Sequence, residues 1–389
     1  QCDIAGSSSL KREVDSYYAE LLVPIVGSSN RIPGIESLQL KAAVRHDKYS
    51  DVGNTTNPQF GIDWQPIESL RVRASYGESF RAPLITDLYG NSSAMFVELF
   101  PDPELGGAPR VGVFQSGGNL DLEPATATTK TLGFDWQPEQ LPGASLSLTW
   151  FDIEYEKQIA AYLGDNNILN REDAFAGAGI ILRDAAAAAR VDELFAQGLT
   201  VARGVLPAQV TLFVDGRPNN LGVSRMKGLD FLLSYGWEST AGSWLFSLNG
   251  MYVDHYEVAL TAAGAMEDRR NTIFHPNRIR MRASLAWERN NYGARVVFNH
   301  IGSYTNNLVE PSETVESYQP VDLSAWIDLG RDERGWAGGW LLSMELRNAF
   351  DEDPPYVNIA PTNNGSGGYD AAAASPIGRV LSMSISKSF

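Results

Sequence analysis

Cysteine is nearly missing from this chain, Cys2 being the only one among 389 residues. That excludes an internal disulfide and a cysteine-based metal cluster, and leaves Cys2 either as a free thiol or as partner to a cysteine further upstream. Histidine is scarce too: His46, His255, His275 and His300 are scattered, form no HExxH pattern and suggest no metal site. Basic charge is in deficit, with 31 Lys and Arg against 47 Asp and Glu and a net charge of −16, so nucleic acid has no electrostatic reason to bind. No apolar run reaches the ~18 residues of a membrane helix, although a barrel would leave no such trace, since its strands need only ~10 alternating residues. There is no GxSxG elbow, no Ser/His/Asp set at a catalytic spacing and no phosphate-binding glycine loop. No enzyme and no cofactor is expected. The acidic clusters 47–51 and 351–353 have calcium chemistry, but turn capping is their plainer use.

What the chain has instead is period-two alternation, seen most clearly in residues 61–83, GIDWQPIESLRVRASYGESFRAP. Ile62 and Trp64, then Leu70, Val72, Ala74 and Tyr76, fall on one parity, while Asp63, Arg71, Arg73 and Ser75 fall on the other. One face suits an apolar medium and the other suits water. The same unit recurs from residues 12–24 to the C-terminal Phe389, giving about thirteen strands of the ~10-residue kind that crosses a membrane. Arg278, Arg280 and Arg282 oppose Met281 in the same way. The apolar parity changes after Trp150 to Phe151, Ile153 and Tyr155, which predicts a bulge. Within 171–197 the run Ala185 to Ala189 with flanking charges predicts a helix carried on a loop.

Gap lengths carry the topology. Very short turns near 65–68, 238–242 and 288–291 alternate with long segments at about 78–126, 156–222, 256–276, 302–317 and 349–376. A soluble sandwich has no reason to sort its connections so, whereas transmembrane barrels place short turns at one rim and long extracellular loops at the other. Trp64, Trp136, Trp237 and Trp287 each precede a turn, as an interfacial aromatic girdle requires; tryptophans in the core of a soluble sheet are the alternative. The expected fold class is all-β, a transmembrane antiparallel β-barrel. An odd count with two open edges cannot stand alone in hydrocarbon, so either the count is off by one or an N-terminal part is missing, and a start at Gln1 without signal peptide favours the second expectation.

Several segments are similar to motifs of the TonB-dependent outer-membrane receptors. YGESFRAP at 76–83, with Phe80, Arg81, Ala82 and Pro83, followed by Asp87, Leu88 and Tyr89, resembles GxxFRAPxxxELY. NLDLEPATATT at 119–129, with Asn119 and Pro124, resembles NPxLKPExS; NAFDEDPPY at 348–356, with Asn348, Phe350 and Asp351, resembles NLFDxxY; and RHDKYSDVG at 45–53 resembles RYDxYSDFG. Their order and spacing match, and Phe389 resembles the terminal aromatic that barrel-assembly machinery recognises. The resemblance implies a 22-stranded barrel with an N-terminal plug, so that about nine strands, the plug and the TonB box would lie upstream of Gln1. It implies a Gram-negative outer-membrane location, lipid around the wall, and active import of a scarce nutrient energised by the TonB complex, a ferric siderophore or similar chelate being the family's commonest ligand. The alternative is a passive outer-membrane pore or a barrel-anchored adhesin without a plug.

Ligand capture is then expected at the long loops. Arg110, Arg217, Arg269 and Arg270 could grip an anionic chelate, and Phe96, Phe274 and Tyr304 could stack on it or on a sugar; solvated loop charge is the plain alternative for each. The inward Arg71, Arg73, Arg278, Arg280 and Arg282 could instead face carboxylates of the plug.

Overall fold

The computed structural model describes residues 10–387 except 91–92, 163–164, 331–337 and 360–366; Phe389 lies outside the described residues. Thirteen strands follow one another in sequence order, each antiparallel to the next. They are β1 (Val14–Val26), β2 (Ser37–Tyr49), β3 (Gly53–Ile67), β4 (Leu70–Arg81), β5 (Ala125–Trp136), β6 (Ala144–Ala160), β7 (Asn219–Ser239), β8 (Gly242–Ala259), β9 (Ile279–Arg289), β10 (Tyr292–Ile301), β11 (Val321–Leu329), β12 (Trp340–Arg347) and β13 (Val380–Lys387). A two-residue strand, Glu267–Asp268, pairs with the far end of β8. β1 and β13 are the two edges of an open sheet.

Register turns the alternation into two faces. Leu38, Trp64, Val72, Phe134, Leu148 and Phe231 lie side by side across β2 to β7. One residue further along, Gln39, Asp63, Arg73, Gly133, Thr149 and Asp230 form the adjacent rung on the opposite face. The apolar face is not a core. Leu132 is 54% exposed and Met383 72%, whereas nearly all the largest fully buried side chains, among them Phe100, Met95, Ile168, Leu194 and Ile273, lie in the connections. A broad apolar face left open while the loops are packed inverts the soluble arrangement, and it matches a wall bathed in hydrocarbon.

The short-turn rim is marked by an aromatic row. Trp237 stacks on Trp244 at 5.9 Å between ring centroids, and Trp244 meets Trp287 at 6.4 Å. Their indole N–H groups close the turns: Trp287 donates to the Ala241 carbonyl at 2.8 Å and Trp244 to Ser239 Oγ at 3.2 Å. An amphipathic ring with one polar tip belongs at a membrane boundary.

Three expectations are corrected. The strands from β1 to β9 exceed ten residues, β7 having 21 and β8 18, while β10 to β13 have 8 to 10; the long ones continue past the hydrocarbon. On β7 the apolar stretch from Trp237 to Leu229 covers about 27 Å along the strand, or ~20 Å of membrane at the usual tilt. Beyond it the same face carries Lys227 paired with Asp152 at 3.3 Å and Arg225 paired with Glu154 at 2.6 Å. Secondly, no bulge follows Trp150. Trp150 faces Leu229 and Phe151 faces Gly228 in unbroken register, and Phe151 is buried against the open space over Gly228, where a Cβ would sit 2.6 Å from its ring. The irregularity comes later, between Tyr155 and Gln158, at Lys157 with φ 53°. Thirdly, the helix is confined to Asp184–Ala196; residues Ile168–Phe175 form 3-10 turns, and Gly177 and Gly179, at φ +76° and +70°, separate the two.

Aromatic rings lying over glycines of the neighbouring strand recur on this wall. Phe231 covers Gly250, where a Cβ would approach to 2.6 Å, and Trp326 covers Gly293 more closely still. Gly293→Val should displace Trp326 and cost about 1–3 kcal/mol, whereas Gly27→Ala, with nothing within 4 Å, should be neutral. The check is the temperature at which the folded barrel loses its heat-modifiable migration.

Candidate ligand-binding surface

Because every strand is antiparallel to the next, all long connections emerge at one rim, opposite the tryptophan row. Two of them build a single packed body. Five short strands assemble in the order Val201–Arg203, Ala94–Pro101, Pro109–Ser116, Leu212–Asp215, Ile181–Arg183, joining the segment after β4 to the segment after β6. The alanine-rich helix Asp184–Ala196 covers one side, packing Ala187, Val191 and Leu194 on Met95, Val113 and Phe213. Ile168, Leu169, Phe175 and Ile180 cover the other, against Phe100, Phe114, Leu212 and Val214. Two apolar layers give these residues the burial that an isolated loop lacks.

A buried carboxylate locks the two segments together. Asp102 is fully buried; it accepts from the Arg110 guanidinium, from Arg183 Nη1 at 3.0 Å and Nη2 at 3.2 Å, and from the Glu104 backbone N–H at 3.0 Å. Arg183 also donates to Glu172 at 2.8 Å. The Arg183 hydrogen bonds, against the opposing effect of burial, hold the Asp102 carboxyl well below the usual carboxylate range, and Arg110 adds to this. Glu172 and then Asp102 raise Arg183 above its ordinary value. Sequence reasoning missed this network, whose members are spread over three parts of the chain.

The residues singled out by sequence fall into two groups. Phe96 packs against the first body beneath Arg203, whose guanidinium lies 5.8 Å from the ring. Arg110 is committed to Asp102, and Arg217 is paired with the buried Asp215 at 2.7 Å. The second group belongs to a second body, made from the segments after β8, β10 and β12. There Ile273, Tyr304, Val315 and Val357 form a buried cluster. Burial, and then the nearby Asp370, push the Tyr304 hydroxyl up. Arg269 pairs with Glu267, and Arg270 donates to the Asp254 carbonyl. Phe274 is held at φ 63° with its ring exposed. The two bodies touch where Leu260 packs on the first and Thr261 Oγ1 donates to the Ala174 carbonyl at 2.8 Å.

The motif residues sit at the joints between wall and loops. Phe80 meets Tyr49 edge-on at 5.8 Å, Arg81 ends β4, Ala82 follows it and Pro83 is buried at the loop entrance. Asn119 donates to the Pro218 carbonyl at 2.9 Å and accepts from the Asp121 N–H at 3.1 Å, so it ties the exit of the first loop to the entrance of β7, while Pro124 leads into β5. Asn348, at φ 46°, accepts from the Glu352 N–H and donates to the Glu352 carbonyl. Asp351, at φ 58°, accepts from the Arg379 N–H at 2.6 Å, while Phe350 stays exposed. Residues 4–349 match the family described as TonB dependent receptor-like, beta-barrel.

The chain belongs to that family. Solved structures share its fold. A ferric enterobactin receptor mutant of Pseudomonas aeruginosa, crystallised with enterobactin, superposes with TM-score 0.65 at 15% identity, over 97% of this chain and 46% of its own. A siderophore receptor of Acinetobacter baumannii gives TM-score 0.63 at 15% identity, over 97% and 46%. A copper transporter gives 0.55 at 12%, over 97% and 48%. The chain therefore spans somewhat less than half the length of each of these.

On the wall of this TonB-dependent receptor barrel, several inward arginines are matched locally. Arg71 pairs with Asp63; Arg73 pairs with Asp135 at 3.2 Å and crosses over Gly133 to reach Thr149 Oγ1 at 2.8 Å; Arg278 lies over Tyr252 and donates to its hydroxyl. Arg280 and Arg282 have no ion pair among the described residues.

The Asp102 lock predicts its own pH dependence. Its folded value is depressed, so its contribution is complete above the unfolded carboxylate range near pH 4 and is lost only as pH falls through the folded value. Asp102→Ala should destabilise the first body by about 3 kcal/mol at pH 7. Limited proteolysis should then cut within 94–116 in the variant and spare the parent down to about pH 4.

Proposed function

We propose that this chain forms the wall and ligand-facing rim of an outer-membrane active importer. A scarce nutrient, a ferric siderophore or similar chelate, binds at the two loop bodies and passes to the periplasm through a barrel energised by TonB. The observation that carries the reading is the pairing of a lipid-facing wall of this family with two separately packed bodies at one rim. A diffusion pore needs no such bodies. The similar receptors for ferric enterobactin and siderophores favour a ferric chelate, while the copper transporter keeps the metal ligand class broad.

In this reading the long segments face the outside, membrane lipid surrounds the apolar face, and Phe389 engages the barrel-assembly machinery. Arg269, Arg270 and Phe274 are the ligand-facing members of the predicted set, because their side chains retain exposure. Phe96, Arg110, Arg217 and Tyr304 support the bodies that present them. One observation favours a barrel-anchored adhesin instead: the first body has a complete core of its own, as a module for protein contact would.

Energised uptake separates these readings. Cells carrying the full-length protein should accumulate ferric chelate, and collapse of the proton gradient should abolish accumulation; gradient-independent uptake would establish a pore, and adhesion without uptake would establish the adhesin. Arg269→Gln with Phe274→Ser should weaken chelate binding about tenfold, roughly the loss of one charged contact. Excising 161–218 alone would strip the cover from Met95, Phe100 and Val113, so the informative deletion removes 93–117 as well. That double deletion should leave the barrel folded and reduce binding, and unchanged affinity would remove the first body from the site.

A further inference from the structure

The outer, apolar face of β4, β5, β6 and β7 holds a groove of about 710 Å³ whose lining side chains are all apolar. It begins at Trp136, beside the short turns, and ends two rungs further along that face at Trp150. These two rings are exposed, while Val72, Phe134 and Leu148 between them are half-buried, so the face dips between two raised ends. Elsewhere on the wall, rings laid over glycines fill the gaps, as Phe231 does over Gly250 and Trp326 over Gly293. The four strands are each paired on both sides. The groove therefore lies clear of the two open edges, and it faces away from the barrel's interior.

Its length and its rim end carry the chemistry. Four residues of strand separate Trp136 from the level of Trp150, about 14 Å, or ~10 Å of depth at the usual strand tilt. That fits within one leaflet of a ~30 Å hydrocarbon core. At the rim end the turns after β3 and β5 are tied together, since the Gln137 N–H donates to the Ser69 carbonyl at 2.8 Å. These turns carry Glu68 and Glu139, both exposed and with neither an ion pair nor a side-chain hydrogen bond among the described residues. No Lys or Arg stands in residues 65–69 or 137–143. A groove that is apolar along its length and acidic at one end suits an apolar chain with a cationic head.

Resting on the membrane setting proposed above, we infer that this groove holds one phospholipid of the leaflet on the short-turn side, with an acyl chain between Trp136 and Trp150 and a primary ammonium headgroup at Glu68 and Glu139. The groove's side chains supply the chain contact. The two carboxylates accept from the ammonium and repel a headgroup of net negative charge. Exposed ion pairs contribute little each, so the headgroup preference is modest and the seating comes from the chain. Neither chelate capture nor energy coupling depends on this site.

The test is native mass spectrometry of the purified full-length protein in detergent, titrated with phosphatidylethanolamine and, separately, with phosphatidylglycerol of the same chains. The parent should retain one equivalent of the ethanolamine lipid, about threefold more strongly than the glycerol lipid, roughly the worth of two exposed ion pairs. Glu68→Gln with Glu139→Gln should bring the two lipids level. Leu148→Trp, which fills the middle of the groove, should weaken retention about fivefold, and Leu132→Trp at its far end should do the same even if the first variant folds poorly. Leu323→Trp, on the same face but outside the groove, should change nothing. Equal retention of both lipids by the parent, or equal retention by the parent and both filled variants, overturns the assignment. So does a dimer that Leu148→Trp dissociates, which would give the groove to a second copy of the chain. Brominated lipid in vesicles tests the membrane setting separately: tryptophan quenching without a bound equivalent overturns the groove alone, and no quenching overturns the lipid-facing wall as well.

Discussion

A polypeptide wall between hydrocarbon and water has one constraint that cannot be relaxed: every backbone N–H and C=O at that depth must find a partner in the wall itself. An antiparallel meander meets it with the least change of direction, and thirteen successive strands here do so without a crossover. The pleat then forces alternate side chains into the two media, which is why Trp64, Val72, Phe134 and Leu148 share a rung while Asp63, Arg73 and Thr149 share the next. Irregular backbone is pushed to the rims. At the short-turn rim the Trp287 and Trp244 N–H groups satisfy a turn carbonyl and a turn hydroxyl; at the other rim there is space for whole structures.

Those structures are where this protein keeps its conventional core. Burial of Phe100, Phe213, Ile168 and Leu194 stabilises connections whose ordering would otherwise be too costly in entropy. Asp102 adds specificity to that packing, because only one arrangement brings Arg110 and Arg183 to the same carboxylate. On the wall, by contrast, apolar side chains stay open to the medium, and polar ones are joined in short ladders such as Arg73 with Asp135 and Thr149.

Strand existence and face were legible from residues 61–83 onward because period-two alternation is a local property that tertiary context here reinforces. Strand length was not: the continuation of β7 through Lys227 and Arg225 reads as loop until Asp152 and Glu154 are seen beside them. The parity change at Phe151 looked like a backbone defect and is a packing choice, made possible by the missing side chain of Gly228. Arg110 and Arg217 have the composition of ligand contacts, and only the fold reveals Asp102 and Asp215 against them. No local spacing announces a partner such as Arg183 for Asp102.

The first loop body has a parallel pairing of Val201–Arg203 with Met95 and Phe96, and another of Leu212–Asp215 with Val113 to Gln115. Each joins residues about 100 positions apart, with the β5–β6 hairpin between them, and such non-local pairings form late. The body can close only after that hairpin has been laid down in the correct register. A one-residue slip would invert both faces of the strands that support it. The buried positions of Met95, Phe100 and Val113 therefore depend on two strands of one long connection meeting two strands of another, so their burial is tied to the register of the wall that carries both.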